Sequence, residues 1–274
     1  MRVNNNIMAY NANRNLGMSN TALGKSLEKL SSGYRINRAG DDAAGLVISQ
    51  KLRAEVSGLR QATRNAQDGI SFAQTAEGAL GEVHSMLNRM RDLAIQAAND
   101  TNDTAARDAI KSEVDALASE INRIGSDTTF SGAAVFTATA LNFQVGSEGA
   151  SGNQIQVTVG LLDATDLGGA DLTGLTVDSA ANARASIESI DDAISAVSTS
   201  RGSLGASQNR FESIVNNLQV TTENLSASES RIRDTDMATE MVQFTKSQIL
   251  QQAGTAMLGQ ANSIPQSVLR LLSQ

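Results

Sequence analysis

A few groups of side chains in this sequence are of the types that catalysis or metal binding uses. His84 is the single histidine, and cysteine is absent. A Ser-His-Asp relay would have one possible base, and that base adjoins Val83 in a helical apolar pattern, where a structural or solvent-facing role is expected. An HExxH zinc site needs two histidines and thiolate sites need cysteine, so the common zinc frameworks are ruled out. The pair Asp41-Asp42 has the look of a general acid and base, but at a helix start two carboxylates cap free N–H groups and favour the positive end. Gly146, Gly149 and Gly152 lack the strand-to-helix setting and the following lysine of a phosphate loop. Asp163, Asp166, Asp171 and Asp178 could touch calcium, but they lack EF-hand spacing and its closing Glu. The expectation is a protein that is no enzyme and uses no metal and no cofactor.

The elements that carry these residues read as long helices. Aromatics are 3 % of the 274 residues and Trp is absent, while hydrophobic residues reach 41 %. That composition suits thin helical bundles, and the lone proline, Pro265, leaves long helices uninterrupted. At the front an apolar stripe runs Ala9, Ala12, Leu16, Leu23, Leu27, Leu30; at the back it runs Leu250, Met257, Ala261, Ile264, Val268, Leu271. Steps of three, four and seven place each set on one helix face. A terminal helix with one apolar face needs a partner to cover it, which points to assembly. Met86, Met90, Met237, Met241 and Met257 fall on or near such stripes as adaptable core or assembly contacts.

Net charge is −7 and unevenly spread: residues 61–200 hold seven Lys/Arg against nineteen Asp/Glu. The acidic stretch reads as a solvated surface. The basic front lacks interleaved aromatics, so no nucleic-acid partner is expected. No run approaches 18 apolar residues, and no membrane span is expected. The N-terminal residues lack the apolar run and cleavage site of a secretory signal.

Along the chain, a break over residues 31–40 separates the first helix from a second that is long. From Ile48 its stripe passes Leu52, Leu59, Ala62, Ala66, Ala73, Ala76, Leu80, Val83, Leu87, Met90, Ala94 and Ala97. A seven-residue period implies left-handed supercoiling with partner helices, and about 55 residues give a rod of about 80 Å. A polar turn over 99–104 leads to a shorter helix with Ile110, Val114, Leu117, Ile121 and Ile124, folded back antiparallel. Two β-type runs, 141–145 and 154–159, flank a Gly/Ser-rich link and form a hairpin. Helical patterning returns from Ile187 to Leu225. The fold class is mainly α, an elongated coiled-coil bundle with a small β-hairpin region in the middle, and its two ends can pair.

Three segments carry a resemblance. Residues 30–46, Leu30-Ser31-Ser32-Gly33-Tyr34-Arg35-Ile36-Asn37-Arg38-Ala39-Gly40-Asp41-Asp42-Ala43-Ala44-Gly45-Leu46, closely resemble the N-terminal signature of bacterial flagellins. Gln67–Ser71 with Gln74–Leu80 resembles the family's next block, and Ser228–Ala238 its C-terminal signature. The resemblance covers residues 1–130 and 181–274.

That resemblance implies a structural subunit that polymerises into the flagellar filament for swimming, located in the flagellum, outside the cell, after export by the flagellar type III apparatus. It divides the chain into an inner coiled-coil helix and linker (1–40), spoke helices (41–130), a short, solvent-facing outer region (131–180), a returning spoke helix (181–236) and a second inner helix (237–274). Polymerisation would rest on Leu16, Leu23, Leu27, Leu30, Leu250, Met257, Ile264, Val268 and Leu271. Implied partners are further flagellin subunits, flagellar cap and hook-associated proteins, an export chaperone at the C-terminal helix, and the host toll-like receptor for flagellin. The receptor segment would be 89–96, with Arg89, Leu93 and Glu113 as main contacts, although Met90, Asp92 and Ile95 depart mildly from the family's usual Val, Glu and Val. Competing readings are the hook–filament junction protein of the same family, an enzyme carried on a flagellin scaffold, which the short middle and lone His84 oppose, and an intracellular coiled-coil adaptor.

Overall fold

A computed structural model of the chain describes residues 5–272 apart from Asp166 and Gly168, and apart from the side chains of Ser151 and of residues 265–272. Among the described residues five α-helices occur in order: α1 (Ile7–Ser32), α2 (Ala43–Ala97), α3 (Thr104–Asp127), α4 (Ala180–Arg233) and α5 (Met237–Leu272). Between α3 and α4 lie four short strands, β1 (Thr129–Phe130), β2 (Ala133–Ala134), β3 (Leu141–Gln144) and β4 (Gln154–Val157). The mainly α class expected from the sequence is the one observed. The chain forms two compact units, residues 57–222 and residues 1–56 with 223–274, and α2 and α4 run through both.

Residues 57–222 enclose one continuous core. In α2 the expected seam is buried from Leu59 to Ala97, and in α3 Ile110, Val114 and Ile121 face it. α3 folds back antiparallel: Arg107 Nε donates to the Ala97 carbonyl at 3.2 Å, while Arg89 reaches Glu113 further from the turn. α4 also runs antiparallel to α2, since Gly69 meets Phe211, Glu77 meets Arg201 and Arg91 meets Asp191. Local signals set the helix ends. Asp103 Oδ1 accepts from Ala106 N at 2.8 Å at the start of α3, and the Ser179 hydroxyl accepts from Asn182 N at 3.2 Å at the start of α4.

The β region is built as the sequence suggests, with one addition. β3 and β4 pair antiparallel with Phe143 opposite Ile155 and Leu141 opposite Val157, which puts these four on the core face. Not foreseen is the β1–β2 hairpin. Its two-residue turn, Ser131-Gly132, takes φ of 51° and 83°, as a primed hairpin turn requires. Phe72 sits at the junction, 5.8 Å from Phe130 and 5.7 Å from Phe143, and Phe143 packs edge-on against Phe211 at 5.5 Å.

The segment 131–180, expected as a solvent-facing outer region, contributes heavily to this core. Val159, Leu162, Ala164, Leu172, Leu175 and Val177 are buried although none of them lies in a helix or strand. An extended chain presents alternate side chains to one side, so a coil can cover a helical bundle without a ladder. Two bonds pin it: Asn122 Oδ1 accepts from Ala164 N at 2.7 Å, and the Ala164 carbonyl accepts from Leu172 N at 2.6 Å.

Candidate assembly interface

The unit made of residues 1–56 and 223–274 has a different economy. α1 and α5 pair antiparallel along most of their length. Asn6 Nδ2 donates to the Ala261 carbonyl at 2.8 Å at one end, and Lys29 lies 3.8 Å from Glu240 at the other. On α1 the covered stripe runs Ala9, Ala12, Leu16, Ser19, Leu23, Ser26 and Leu30, in alternating steps of three and four, flanked by the half-buried Ala22, Glu28 and Lys29. On α5 they are Glu240, Phe244, Ser247, Gln251, Gly254, Leu258 and Ala261, with the same alternation, and Ile264 is half-buried one step on. This is a coiled-coil seam in the expected place, but made largely of small residues. Ser26 and Ser247 are buried in it, and a Cβ on Gly254 would lie 3.3 Å from Leu16 Cδ1.

Leu16, Leu23 and Leu30 therefore lie in the α1–α5 seam, and Leu27, Leu250 and Met257 do not. Leu27 is 57 % exposed, Leu250 49 % and Met257 64 %. The physical reason is helix phase: the seam passes through Ser26, Gln251 and Leu258, and the residue one position away is rotated about 100° to the outside. The same displacement occurs at the start of α2, where Ser49 is buried and Ile48 exposed. Val268 and Leu271 lie outside the residues whose side chains are described.

The turns between helices join the two ends of the chain. Arg35 N donates to the Arg233 carbonyl at 2.7 Å, Thr235 N donates to the Gly33 carbonyl at 2.9 Å, and Tyr34 bridges Asp234. Gly33 makes this possible by ending α1 with φ of 74°, a left-handed value that favours glycine. The Arg233 guanidinium lies 4.5 Å above the Tyr34 ring, and Arg35 Nη2 donates to the Ile232 carbonyl at 2.6 Å. The residues of the two signatures, far apart in sequence, are thus one structure.

Of the two carboxylates expected to cap α2, Asp42 alone does so. Asp42 Oδ1 accepts from Gly45 N at 2.9 Å at the start of α2, whereas Asp41 Oδ2 accepts from Arg38 N and Asn37 N in the preceding loop. The backbone N–H of Arg38, then that of Asn37, holds the Asp41 carboxyl below its ordinary range. At α5, Asp236 is lowered chiefly by the backbone N–H of Thr239, then by that residue's hydroxyl and by Ala238 N. Arg38 forms its side-chain ion pair with Glu28, at 2.8 Å, and not with the neighbouring acids.

What remains on the outside is apolar. Of the exposed large hydrophobic side chains among the described residues, only Ile95, Leu161 and Val220 lie in the 57–222 unit; all the others are on α1, α5 or the start of α2. Met241, Val242, Ile249 and Leu250, with Thr245 and Lys246, line an open groove of about 490 Å³ on α5. Buried apolar residues are correspondingly few here: Ile36, Val56 and Ala261 among those described.

The segment expected to meet the receptor is split by the fold. Arg89 donates to Glu113 Oε1 through Nε and Nη2 at 2.9 and 2.7 Å, and both residues are exposed. Leu93, at 2 % exposure, packs into the core. His84 is half-buried on α2, and its Nδ1 has no hydrogen-bond partner, so nothing there orients a base. Among the described residues no group of acids or histidine could hold a metal ion, and no helix is long and apolar enough to cross a membrane.

A unit with a thin seam of small residues, few buried apolar groups and a wide outward apolar face belongs to a helical subunit of a self-associating assembly. Residues 3–140 match the family described as the bacterial flagellin N-terminal helical region, and residues 187–272 match the flagellin C-terminal helical region. The chain is 50 % identical to the flagellin of Halalkalibacterium halodurans and 45 % identical to that of Bacillus subtilis, in each case over 99 % of this chain and all of the relative. A solved structure of a flagellar hook-associated protein from Vibrio parahaemolyticus shares the fold, with a TM-score of 0.56 over 71 % of this chain and all of that one, at 16 % identity. The chain belongs to the bacterial flagellin family. It is a structural subunit of the flagellar filament and not an enzyme.

Proposed function

We propose that this chain is exported by the flagellar type III apparatus and polymerises outside the cell into a filament used for swimming, with α1 and α5 forming the inner coiled coil. The observation that carries this reading is the contrast within the terminal unit: among the described residues very few apolar side chains are buried there, and most of the exposed large ones are gathered there. At about 25 cal/mol per Å² of apolar surface removed from water, covering such a face supplies a large driving force for association. Leu16, Leu23, Leu30 and Ile264 hold α1 and α5 together, while Leu27, Leu250 and Met257 meet neighbouring subunits. Val268 and Leu271 extend the polymerisation set along the same helix. Before export the α5 groove of Met241, Val242, Ile249 and Leu250 takes the chaperone, a helix-in-groove contact. Cap and hook-associated proteins bind the same terminal faces at the two filament ends. Recognition by the toll-like receptor falls on the exposed Arg89–Glu113 pair, with Leu93 shaping that surface from beneath.

Purified protein should polymerise on its own, and deletion of residues 1–30 or 245–274 should abolish this. Normal filaments from either truncated protein, seen by electron microscopy, contradict the proposal. The identities of 45 and 50 % to flagellins favour the filament over the hook–filament junction.

A further inference from the structure

We propose that the methionines of the terminal helices are an oxidation site, with hydroperoxides as the co-reactant, that decides whether this chain can assemble; the inference rests on the polymerisation reading above. The fold sorts the methionines into two sets. Met86 and Met90 of α2 belong to the core of the 57–222 unit, Met90 being wholly buried. Met8 and Met18 on α1, with Met237, Met241 and Met257 on α5, are between 49 and 67 % exposed. No other described methionine exists. The whole chain contains neither cysteine nor tryptophan, so these thioethers meet a peroxide without a more reactive side chain to intercept it.

The chemistry is a two-electron oxygen transfer. The thioether sulfur attacks one peroxide oxygen, an S–O bond forms as the O–O bond breaks, the proton on the attacked oxygen passes to the departing one, and water leaves (an alcohol where the hydroperoxide carries an alkyl group). Sulfur is oxidised and the peroxide reduced. The product is a flexible apolar side chain turned into a strong acceptor with no donor of its own. The five side chains sit where this matters for association and not for the fold. None belongs to the α1–α5 seam, which is built by Leu16, Ser26, Ser247, Gly254 and Ala261. Met241, in contrast, shares the open apolar groove with Val242, Ile249 and Leu250. A sulfoxide there leaves the helix pair intact, and becomes an unpaired polar group once a neighbouring subunit covers it. Assembly in turn shields the thioethers, so the monomer is the vulnerable state.

The experiment treats purified monomer and preformed filaments with hydrogen peroxide, maps sulfoxides by peptide mass spectrometry, and then measures the concentration needed for filament growth. Met8, Met18, Met237, Met241 and Met257 should oxidise before Met86 and Met90, with helical circular dichroism unchanged. The critical concentration should rise about tenfold or more, as expected for even one polar group buried without a partner. Methionine sulfoxide reductase with a thiol reductant should restore growth, and filaments should oxidise more slowly than monomer at the five positions. A variant with all five replaced by Leu should assemble after peroxide treatment as before it; if that variant does not assemble, the reductase rescue decides. Oxidised monomer that grows filaments at the untreated concentration overturns the proposal, as does a loss that the reductase fails to reverse. Untreated protein that never assembles refutes the polymerisation reading itself, and this proposal with it.

Discussion

Gly125 offers the sharpest test of how the 57–222 unit is held together. It is buried in the last turn of α3, against the coil that follows the hairpins. A Cβ placed on it would land on the carbonyl oxygen of Leu162, and would lie 3.1 Å from the carbonyl carbon and 3.3 Å from Leu162 Cβ. The obstacle is backbone and cannot swing aside. It is also pinned, because two residues on Ala164 N donates to Asn122 on the same helix at 2.7 Å. Gly125→Ala gains about 1 kcal/mol of helix propensity. Against that stands the cost of overpacking, typically about 1–3 kcal/mol and larger where backbone must move. We expect a net loss of about 1–2 kcal/mol, read as a melting temperature lower by about 2–8 °C for a unit of this size. Gly78→Ala in α2 is the control, since nothing lies within 4 Å of its added carbon. It should stabilise by about 0.5–1 kcal/mol. Thermal unfolding of the two variants by circular dichroism should therefore move in opposite directions. Gly125→Ala melting at or above the unmodified protein would mean that the 158–179 coil does not press on α3, and the account of this core would be wrong.

The remaining predictions concern the surface and the caps. Leu250→Asp should shift monomer stability by no more than about 0.5 kcal/mol, because the side chain is exposed, yet prevent filament growth; a variant that unfolds places Leu250 in an intrachain core. Arg89→Ala removes a two-pronged but exposed ion pair and should cost about 0.2–1 kcal/mol by thermal unfolding, so a loss of several kcal/mol would show the pair to be structural. The lowered carboxyls of Asp41 and Asp236 stabilise the folded ends above the ordinary carboxylate pKa, near 4, and this contribution is lost as pH falls through their lowered values. Carboxyl NMR titration should find both protonating below the ordinary range, and Asp236→Ala should weaken the acid sensitivity of α5; an ordinary titration midpoint for Asp236 refutes the capping argument.

Much of the helical frame was legible because its cause is local. From Leu59 to Ala97 every expected seam position of α2 is buried. There the seam residues are themselves the large or apolar ones, so periodicity and burial coincide. At the ends of the chain they part. Apolar spacing puts Leu27 and Ile48 where Ser26 and Ser49 hold the buried positions, because it passes over small side chains whose value is close approach, and it puts Leu250 and Met257 one residue before the seam positions Gln251 and Leu258. The coil of residues 158–179 was illegible for another reason: it has no period of its own, and its buried residues are chosen by the helices beneath it.

The signatures show the same boundary between the two kinds of information. That Asp42 caps α2 follows from the chain alone, since a cap satisfies an N–H group two or three residues on, whereas Asp41 turns back to the loop N–H groups of Asn37 and Arg38. That Arg233 stacks on Tyr34, and that Gly33 and Arg35 bond to Thr235 and Arg233, needs two segments about 200 residues apart to meet. Sequence by itself determined long helices, their capped ends and the surplus of apolar side chains at both termini, because these depend on spacing and composition. Tertiary structure alone decided which of those side chains the chain covers for itself. That choice turns on how closely two helix backbones approach, and it leaves Leu27, Leu250 and Met257 on the outside.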